Sequence, residues 1–226
     1  MSETGPRILL YALVAGLSPL ALLATLAVLG SGRGRANGSA FGVGFLISQS
    51  AVLLIAILVG SAATPNRERG HETFAALLEL ALGLALLAFA WRGRRPRAPR
   101  QRSGESRTKA LLARLRGLRP ATAFSVGALL GVGGVKRLTI TLFAGATIAV
   151  AALIPAEEVG LGVLYVLVAS LLVWLPVAVY LVAGKRADDL AESTEAWLAA
   201  NQQRATFVST LVFGLLLSGD ALVRLL

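Results

Sequence analysis

The sequence predicts an all-α membrane protein with six transmembrane helices. Hydrophobic residues make up 56% of the 226 residues and charged residues 15%, whereas about 25% charged residues is usual in a soluble domain. A helix crosses a bilayer when about 20 consecutive residues are mainly apolar. The windows without a charged residue are Ile8–Gly32, Ala36–Asn66, Leu138–Ala156 and Val159–Gly184. A soluble core cannot bury so many windows of this length, so we expect them to lie in lipid.

The first three spans are predicted at about 8–29, 41–60 and 73–91, which form a first repeat over residues 1–91. Pro19 interrupts the first span, because proline has no backbone N–H and breaks the helical hydrogen bonds. The segment Ser31–Gly38 is rich in glycine and is predicted to be a turn between the first two spans.

The second repeat is predicted over residues 120–226, with spans at about 121–153, 159–183 and 205–226 and a cytoplasmic helix at 188–203. The apolar stretch at 120–153 would be about 50 Å long as one helix, which exceeds the hydrocarbon core of about 30 Å. Gly131–Gly134 lies inside this stretch, so a broken helix is expected there. Pro176 predicts a kink in the following span.

Basic residues are unevenly divided between the two sides of this arrangement. Sixteen Lys or Arg residues lie on the side of the 92–119 loop and four lie on the opposite side. Cytoplasmic loops carry the excess of Lys and Arg. The distribution therefore predicts a multi-pass membrane protein with the 92–119 loop in the cytoplasm and both termini outside.

The two halves share one layout, in which three helices begin with an interrupted helix. Because three is an odd number, the second half enters the membrane from the opposite side. This arrangement is a 3+3 inverted repeat with broken first and fourth helices. Transporters built this way bind their substrate near the bilayer centre, between discontinuous helices.

Four ionisable side chains lie well inside the predicted spans, namely Glu79, Lys136, Arg137 and Asp220. Such a side chain costs about 2.5–3.5 kcal/mol at the centre of a span and therefore usually faces a cavity or a partner. In one interpretation, Lys136 or Arg137 binds an anionic group of a substrate while Glu79 or Asp220 exchanges a proton. In the other, these groups form ion pairs that set helix register, or Asp220 reaches the surface.

Uncharged polar residues near the first helix break are further candidates for binding. Ser18, beside Pro19, is expected to cap the half-helix that follows, whose N–H groups then face an anionic group. Gln49 lies near the middle of the second span, where it either bonds a neighbouring helix or lines a cavity.

The 92–119 loop contains eleven Lys or Arg residues and one Glu. It has no interleaved aromatic residues, which argues against nucleic acid as a partner. Basic segments beside a membrane gain about 1 kcal/mol per charge from anionic lipids. The residues expected to contact anionic lipid headgroups are Arg94, Arg95, Arg97, Arg114, Arg116 and Arg119.

The composition argues against several kinds of chemistry. The chain has no cysteine and one histidine, His71, so no thiolate or multi-histidine metal site is expected. It has no phosphate-binding P-loop and no histidine-based catalytic triad. We therefore expect no enzyme activity, no metal and no cofactor.

Several short motifs resemble those of a known family. They are Leu17-Ser-Pro19, Ala40-Phe-Gly-Val-Gly-Phe45 and the segment that begins Val135-Lys-Arg-Leu-Thr139. Together they resemble the GAP family, also called sulfolipid-addressing (Sap) proteins, within the LysE-like transporter superfamily. The family signature Pro-Lys-Asn corresponds here to Val135, Lys136 and Arg137, so the lysine is retained. The resemblance implies a six-span, multi-pass protein of the bacterial inner (plasma) membrane that moves glycolipids or sulfolipids towards the cell surface.

The expected function is that of a transporter or export factor for a lipid-linked or glycolipid substrate. Two alternatives stay open, a LysE-like exporter of amino acids or small ions and a non-transporting accessory subunit of a lipid-export complex. The expected partners are membrane lipids, a lipid or small-molecule substrate, a larger lipid-export machinery and further copies of the chain in a homo-oligomer.

Overall fold

A computed structural model describes residues 4–62, 115, 117–151 and 153–183, with eight isolated positions between 194 and 219. Within these residues the chain forms seven α-helices and no strand. The helices are α1 (Thr4–Gly16), α2 (Pro19–Leu29), α3 (Gly34–Ala62), α4 (Pro120–Val132), α5 (Val135–Val150), α6 (Pro155–Ala169) and α7 (Leu171–Ala183). The predicted all-α class is therefore confirmed for the described residues. The predicted spans at 73–91 and 205–226 and the helix at 188–203 lie outside the continuous described ranges.

Only α3 is by itself long and apolar enough to cross a membrane among the described helices, through Gly34–Ser61. The other described helices form three consecutive pairs, bent by 59° between α1 and α2, 65° between α4 and α5, and 72° between α6 and α7. If each bent pair is one span, the described residues contain up to four spans. Ile47, Leu54 and Leu58 on α3 are all more than half exposed, which suits a helix face in contact with lipid.

The break between α1 and α2 occurs where Pro19 predicts it. Proline disfavours a helical conformation in the preceding residue, and Ser18 accordingly has an extended backbone with φ −123° and ψ 101°. The Ser18 Oγ accepts a hydrogen bond from the Ala21 N–H at 3.4 Å. Ser18 thus caps α2, as the sequence predicts.

The break between α4 and α5 lies in the predicted glycine run. Gly134 has φ +92°, which a residue with a side chain rarely adopts. Gly133 ends α4 and Gly134 precedes the first residue of α5. The prediction of a broken helix here is confirmed, because only glycine takes this conformation without strain.

The interruption between α6 and α7 lies at Ser170, whereas Pro176 is inside α7. The sharp bend at Ser170 was not expected from the sequence, and the kink at Pro176 inside α7 stays a prediction. The break leaves backbone carbonyl groups without the N–H donors of a continuous helix, and side chains donate hydrogen bonds to them instead. The Trp174 Nε1–H donates to the Leu167 carbonyl at 2.8 Å, and a second donor comes from α5, as described below. The second of these contacts involves a side chain that local sequence does not place near Ser170.

The turn between α2 and α3 is shorter than predicted, because α3 begins at Gly34 rather than after Gly38. A Cβ atom on Gly34 would lie 2.8 Å from the Tyr180 hydroxyl of α7. It would also meet the Leu29 carbonyl oxygen at the end of α2, so Gly34 permits both the tight turn between α2 and α3 and the close packing against α7. Asn37 Nδ2 donates to Ser31 Oγ and to the Leu118 carbonyl, both at 2.9 Å, which joins this turn to the start of α4.

Helix α3 runs parallel to α4 and then to α5. Near its start, Phe41 contacts Gly127 of α4, and further along, Ala56 contacts Gly145 of α5. The first turns of α3 and α4 consequently lie at the same end of the bundle, together with the exposed Arg119.

Two apolar cores lie on either side of the helix breaks. The first contains Ile8, Tyr11, Leu53, Ile140, Ile148 and Tyr165, and the second contains Leu23, Val28, Phe41, Phe45, Leu115 and Val173. Helix α3 contributes Leu53 to the first core and Phe45 to the second. Gln49 lies between them on the same helix and is fully buried. A layer of polar residues therefore separates the two cores at the level of the breaks.

Candidate functional site

The three helix breaks meet at the first turn of α5. Lys136 Nζ donates to the Leu17 carbonyl at the break between α1 and α2, at 3.5 Å. Arg137 Nη1 donates to the Ala169 carbonyl at the break between α6 and α7, at 3.2 Å. Helix ends leave backbone carbonyls without intrahelical partners. Two adjacent cationic side chains at one break thus supply hydrogen bonds to the other two.

Arg137 belongs to a buried hydrogen-bond network, which we call the polar layer. It consists of Gln49, Arg137, Thr141 and Tyr165. The Arg137 Nη1–H also donates to Gln49 Oε1 at 3.5 Å. The Gln49 Nε2–H donates to Thr141 Oγ1 at 3.0 Å, and the Thr141 hydroxyl donates to the Arg137 carbonyl at 2.9 Å. Tyr165 Oη lies 2.8 Å from Thr141 Oγ1. Since the single Thr141 hydroxyl proton is used on Arg137, Tyr165 donates in this last bond.

Arg137 is only 6% exposed and its guanidinium lies over the Phe45 ring, with Cζ 4.7 Å from the ring centroid. In the described part of the chain its partners are this ring, the Gln49 amide and the Ala169 carbonyl, and none is a carboxylate. Both recorded hydrogen bonds use Nη1. A buried charge is costly unless it is neutralised and hydrogen-bonded. These described partners therefore solvate the charge of Arg137 without neutralising it.

Lys136 differs from Arg137 in its exposure. Its side chain is partly exposed, whereas that of Arg137 is buried in the polar layer. Helix α5 follows the N-cap residue Gly134 and has no side-chain cap, so its first N–H groups add a partial positive charge beside Lys136. Lys136 thus lies at the edge of the polar layer, while Arg137 lies inside it.

The structure brings together Ser18, Pro19, Gln49, Lys136 and Arg137 among the predicted site residues. Ser18 and Pro19 follow the Leu17 carbonyl that Lys136 contacts. Gln49 bonds two residues of a neighbouring helix, the first of its two predicted roles. The roles of these residues in binding stay predictions.

Three members of this region were not expected from the sequence. Thr141 follows Arg137 by four residues, so helical spacing alone places it on the same face. Tyr165 lies on α6 and Ser170 lies at the break that follows it, and no sequence pattern indicates them. The Ser170 hydroxyl is fully buried and has no hydrogen-bond partner in the described part of the chain.

Other predicted residues lie outside the described ranges, including the ionisable pair Glu79 and Asp220. The same holds for most of the basic loop, that is, for Arg94, Arg95, Arg97, Arg114 and Arg116. Arg119 is described and exposed. Leu115 just before it is buried in the second core, so the end of the basic loop is anchored to the bundle beside the turn between α2 and α3.

Apolar helices broken around buried polar groups define a helical membrane protein. The family model described as Sap, sulfolipid-1-addressing protein, matches residues 8–222, and the chain belongs to this family. The resemblance to the sulfolipid-addressing family, drawn from the short motifs, is thereby confirmed. No curated protein matches the chain. No solved structure matches it either.

Proposed function

We propose that this protein is a transporter or export factor that moves a lipid-linked or glycolipid substrate across or out of the inner membrane. The observation that carries the proposal is the meeting of three helix breaks at Lys136 and Arg137. Membership of a family named for addressing a sulfolipid supports a lipid substrate with an anionic group. The same family membership supports a role in lipid export.

In this proposal the polar head group enters the polar layer and its lipid tail stays in the apolar surroundings. Lys136 and Arg137 bind the anionic group, and the N-terminus of α2 after Ser18 adds N–H donors. Energy comes from an ion gradient, with Glu79 or Asp220 exchanging a proton, or from a partner machinery. None of these steps requires enzyme chemistry.

The proposed architecture is six spans in a 3+3 inverted repeat that opens alternately to the two sides of the membrane. The parallel course of α3 and α4 supports it, because both predicted spans run outward from the cytoplasm. The breaks in the first and fourth spans also support it. The continuous α3 and the broken α6–α7 pair differ, although they are equivalent in the proposed repeat.

A deletion strain tests this function. We expect the strain to lose at least one lipid species from its outer surface and to retain it in the inner membrane. Wild type restores the species, whereas Lys136→Ala restores it at a rate lower by about tenfold or more, because one hydrogen bond to a charged group contributes about 1.5–3 kcal/mol.

Arg35→Ala is the matched control, since it removes an exposed cationic side chain away from the breaks and is expected to restore the species fully. An unchanged surface lipid profile in the deletion strain would refute lipid export. Equal restoration by Lys136→Ala and wild type would remove Lys136 from the site.

A second candidate is a LysE-like exporter of amino acids or small ions. It is favoured by one observation, the compact and fully buried arrangement of Gln49, Thr141 and Tyr165. In the deletion strain this candidate predicts altered efflux of a small solute with unchanged envelope lipids. An accessory subunit would be indicated by a different pair of results. The deletion strain would then have an altered lipid profile, but the purified protein alone would not move lipid in liposomes.

A further inference from the structure

The buried guanidinium of Arg137 has a neutral partner at the position where a counter-charge would fit. Gln49 Oε1 accepts from Arg137 Nη1 at 3.5 Å, and glutamate has the same size and shape as glutamine. The acidic residues within the continuous described ranges are Glu157 and Glu158, in the first turn of α6. Glu158 precedes Tyr165 by seven residues, a distance of about 10 Å along the helix axis. Gln49 therefore occupies a position from which a carboxylate would neutralise Arg137 directly.

The orientation of the Gln49 amide is determined by its second hydrogen bond. Its Nε2–H donates to Thr141 Oγ1 at 3.0 Å, so Oε1 is directed to the guanidinium. The side chain is fully buried on α3, the continuous helix. Gln49 positions Arg137 as a glutamate would, but it contributes no charge.

We propose that Gln49 determines the specificity of the site, because a neutral acceptor leaves the charge of Arg137 available to an anionic ligand. The ligand is an oxyanion, namely a sulfate ester, a phosphate ester or a carboxylate. Within the described part of the chain, both hydrogen bonds of the Arg137 side chain use Nη1. The Nε and Nη2 donors are left for the ligand, and an arginine binds an oxyanion through two parallel N–H groups. Lys136, partly exposed beside it, supplies a second charge.

The inference rests on the proposed function in that the same site receives the substrate head group. It can nevertheless be tested without transport, by measuring binding to the purified full-length protein in a neutral detergent. The probe pair is 3-O-sulfogalactosylceramide and galactosylceramide, which differ only in the sulfate. Inorganic sulfate, compared with chloride at matched ionic strength, tests a free anion as the alternative source of the same chemistry.

Wild type is expected to bind the sulfated lipid at least about tenfold more tightly than the unsulfated one, the ratio that one favourable charge interaction provides. In Gln49→Glu this preference is expected to disappear, while the thermal midpoint without ligand stays equal to or above that of wild type. In Gln49→Leu, which removes both hydrogen bonds but adds no charge, the midpoint falls and the preference for the sulfated lipid is retained. This opposite response of stability and binding distinguishes charge from simple packing.

Equal binding of the two lipids and no response to sulfate by wild type would overturn the inference, whatever the variants do. It would also be overturned if Gln49→Glu kept the preference, or if Gln49→Leu lost it as completely as Gln49→Glu. A response of wild type to inorganic sulfate alone would retain the anion site and assign it to a free anion. The deletion strain provides the separate test of lipid export, so failure of one proposal does not imply failure of the other.

Discussion

Replacing Thr141 by valine tests the polar layer most directly, because valine keeps the shape of the side chain and removes its hydroxyl. Thr141 takes part in hydrogen bonds with Gln49, Tyr165 and the Arg137 carbonyl. Hydrogen bonds between side chains in membrane proteins contribute about 0.6 kcal/mol each on average, which gives about 2 kcal/mol for three. The change also leaves two buried donors, on Gln49 and Tyr165, without an acceptor, which adds to this loss. We therefore expect the free energy of unfolding to fall by at least about 2 kcal/mol.

Thr25→Val is the matched control for this experiment. Thr25 is as fully buried as Thr141, but its hydroxyl donates only to the Ala21 carbonyl within its own helix, at 2.8 Å. That carbonyl keeps its backbone partner, so we expect a loss of about 1 kcal/mol or less. Unfolding of the purified proteins in neutral detergent, followed while the mole fraction of an anionic denaturing detergent is increased, measures both values. If Thr141→Val lost no more stability than Thr25→Val, the polar layer would not contribute as described.

Two glycine substitutions test the helix packing and the break between α4 and α5. Gly127→Ala is expected to lower the free energy of unfolding by about 1–3 kcal/mol, because the new Cβ would meet the backbone of Phe41, including its carbonyl carbon at 2.8 Å. Its control is Gly42→Ala, where the nearest neighbour of the new Cβ is a Val177 methyl group at 3.7 Å. This control should leave the thermal midpoint unchanged or raised. Gly134→Ala is expected to lower the free energy of unfolding by about 1–2 kcal/mol, because φ is +92° at this position. Its control is Gly160→Ala, which should leave the midpoint unchanged, because a Cβ there has no neighbour within 4 Å. Equal midpoints within either pair would contradict the corresponding argument.

Local chemistry explains which helix breaks were predictable. Pro19 lacks an N–H and restricts Ser18, while Gly134 takes a backbone conformation that other residues avoid. These effects depend on one or two residues, so they can be recognised in the sequence alone. The break at Ser170 depends instead on donors from Trp174 and from Arg137, which is 32 positions from the carbonyl it contacts. Pro176, in contrast, is accommodated inside α7.

The candidate site was partly predictable for a similar reason. An ionisable residue inside an apolar stretch is conspicuous, so Lys136 and Arg137 were identified as candidates by composition. Their different exposure was not predictable, because adjacent residues on a helix point in different directions and only neighbouring helices decide which one is covered. The same limit applies to Tyr165, an ordinary aromatic residue in an apolar helix until Thr141 lies beside it.

The sequence by itself determined that the chain is helical and apolar, where two of its helices break, and to which family it belongs, because these properties are carried by contiguous residues. Only the tertiary structure decided that three breaks meet at one pair of cations and that the buried member of the pair has a neutral partner. Bare carbonyl groups at helix ends and a charge inside a bundle require partners, and in this protein those partners come from segments far apart in the chain.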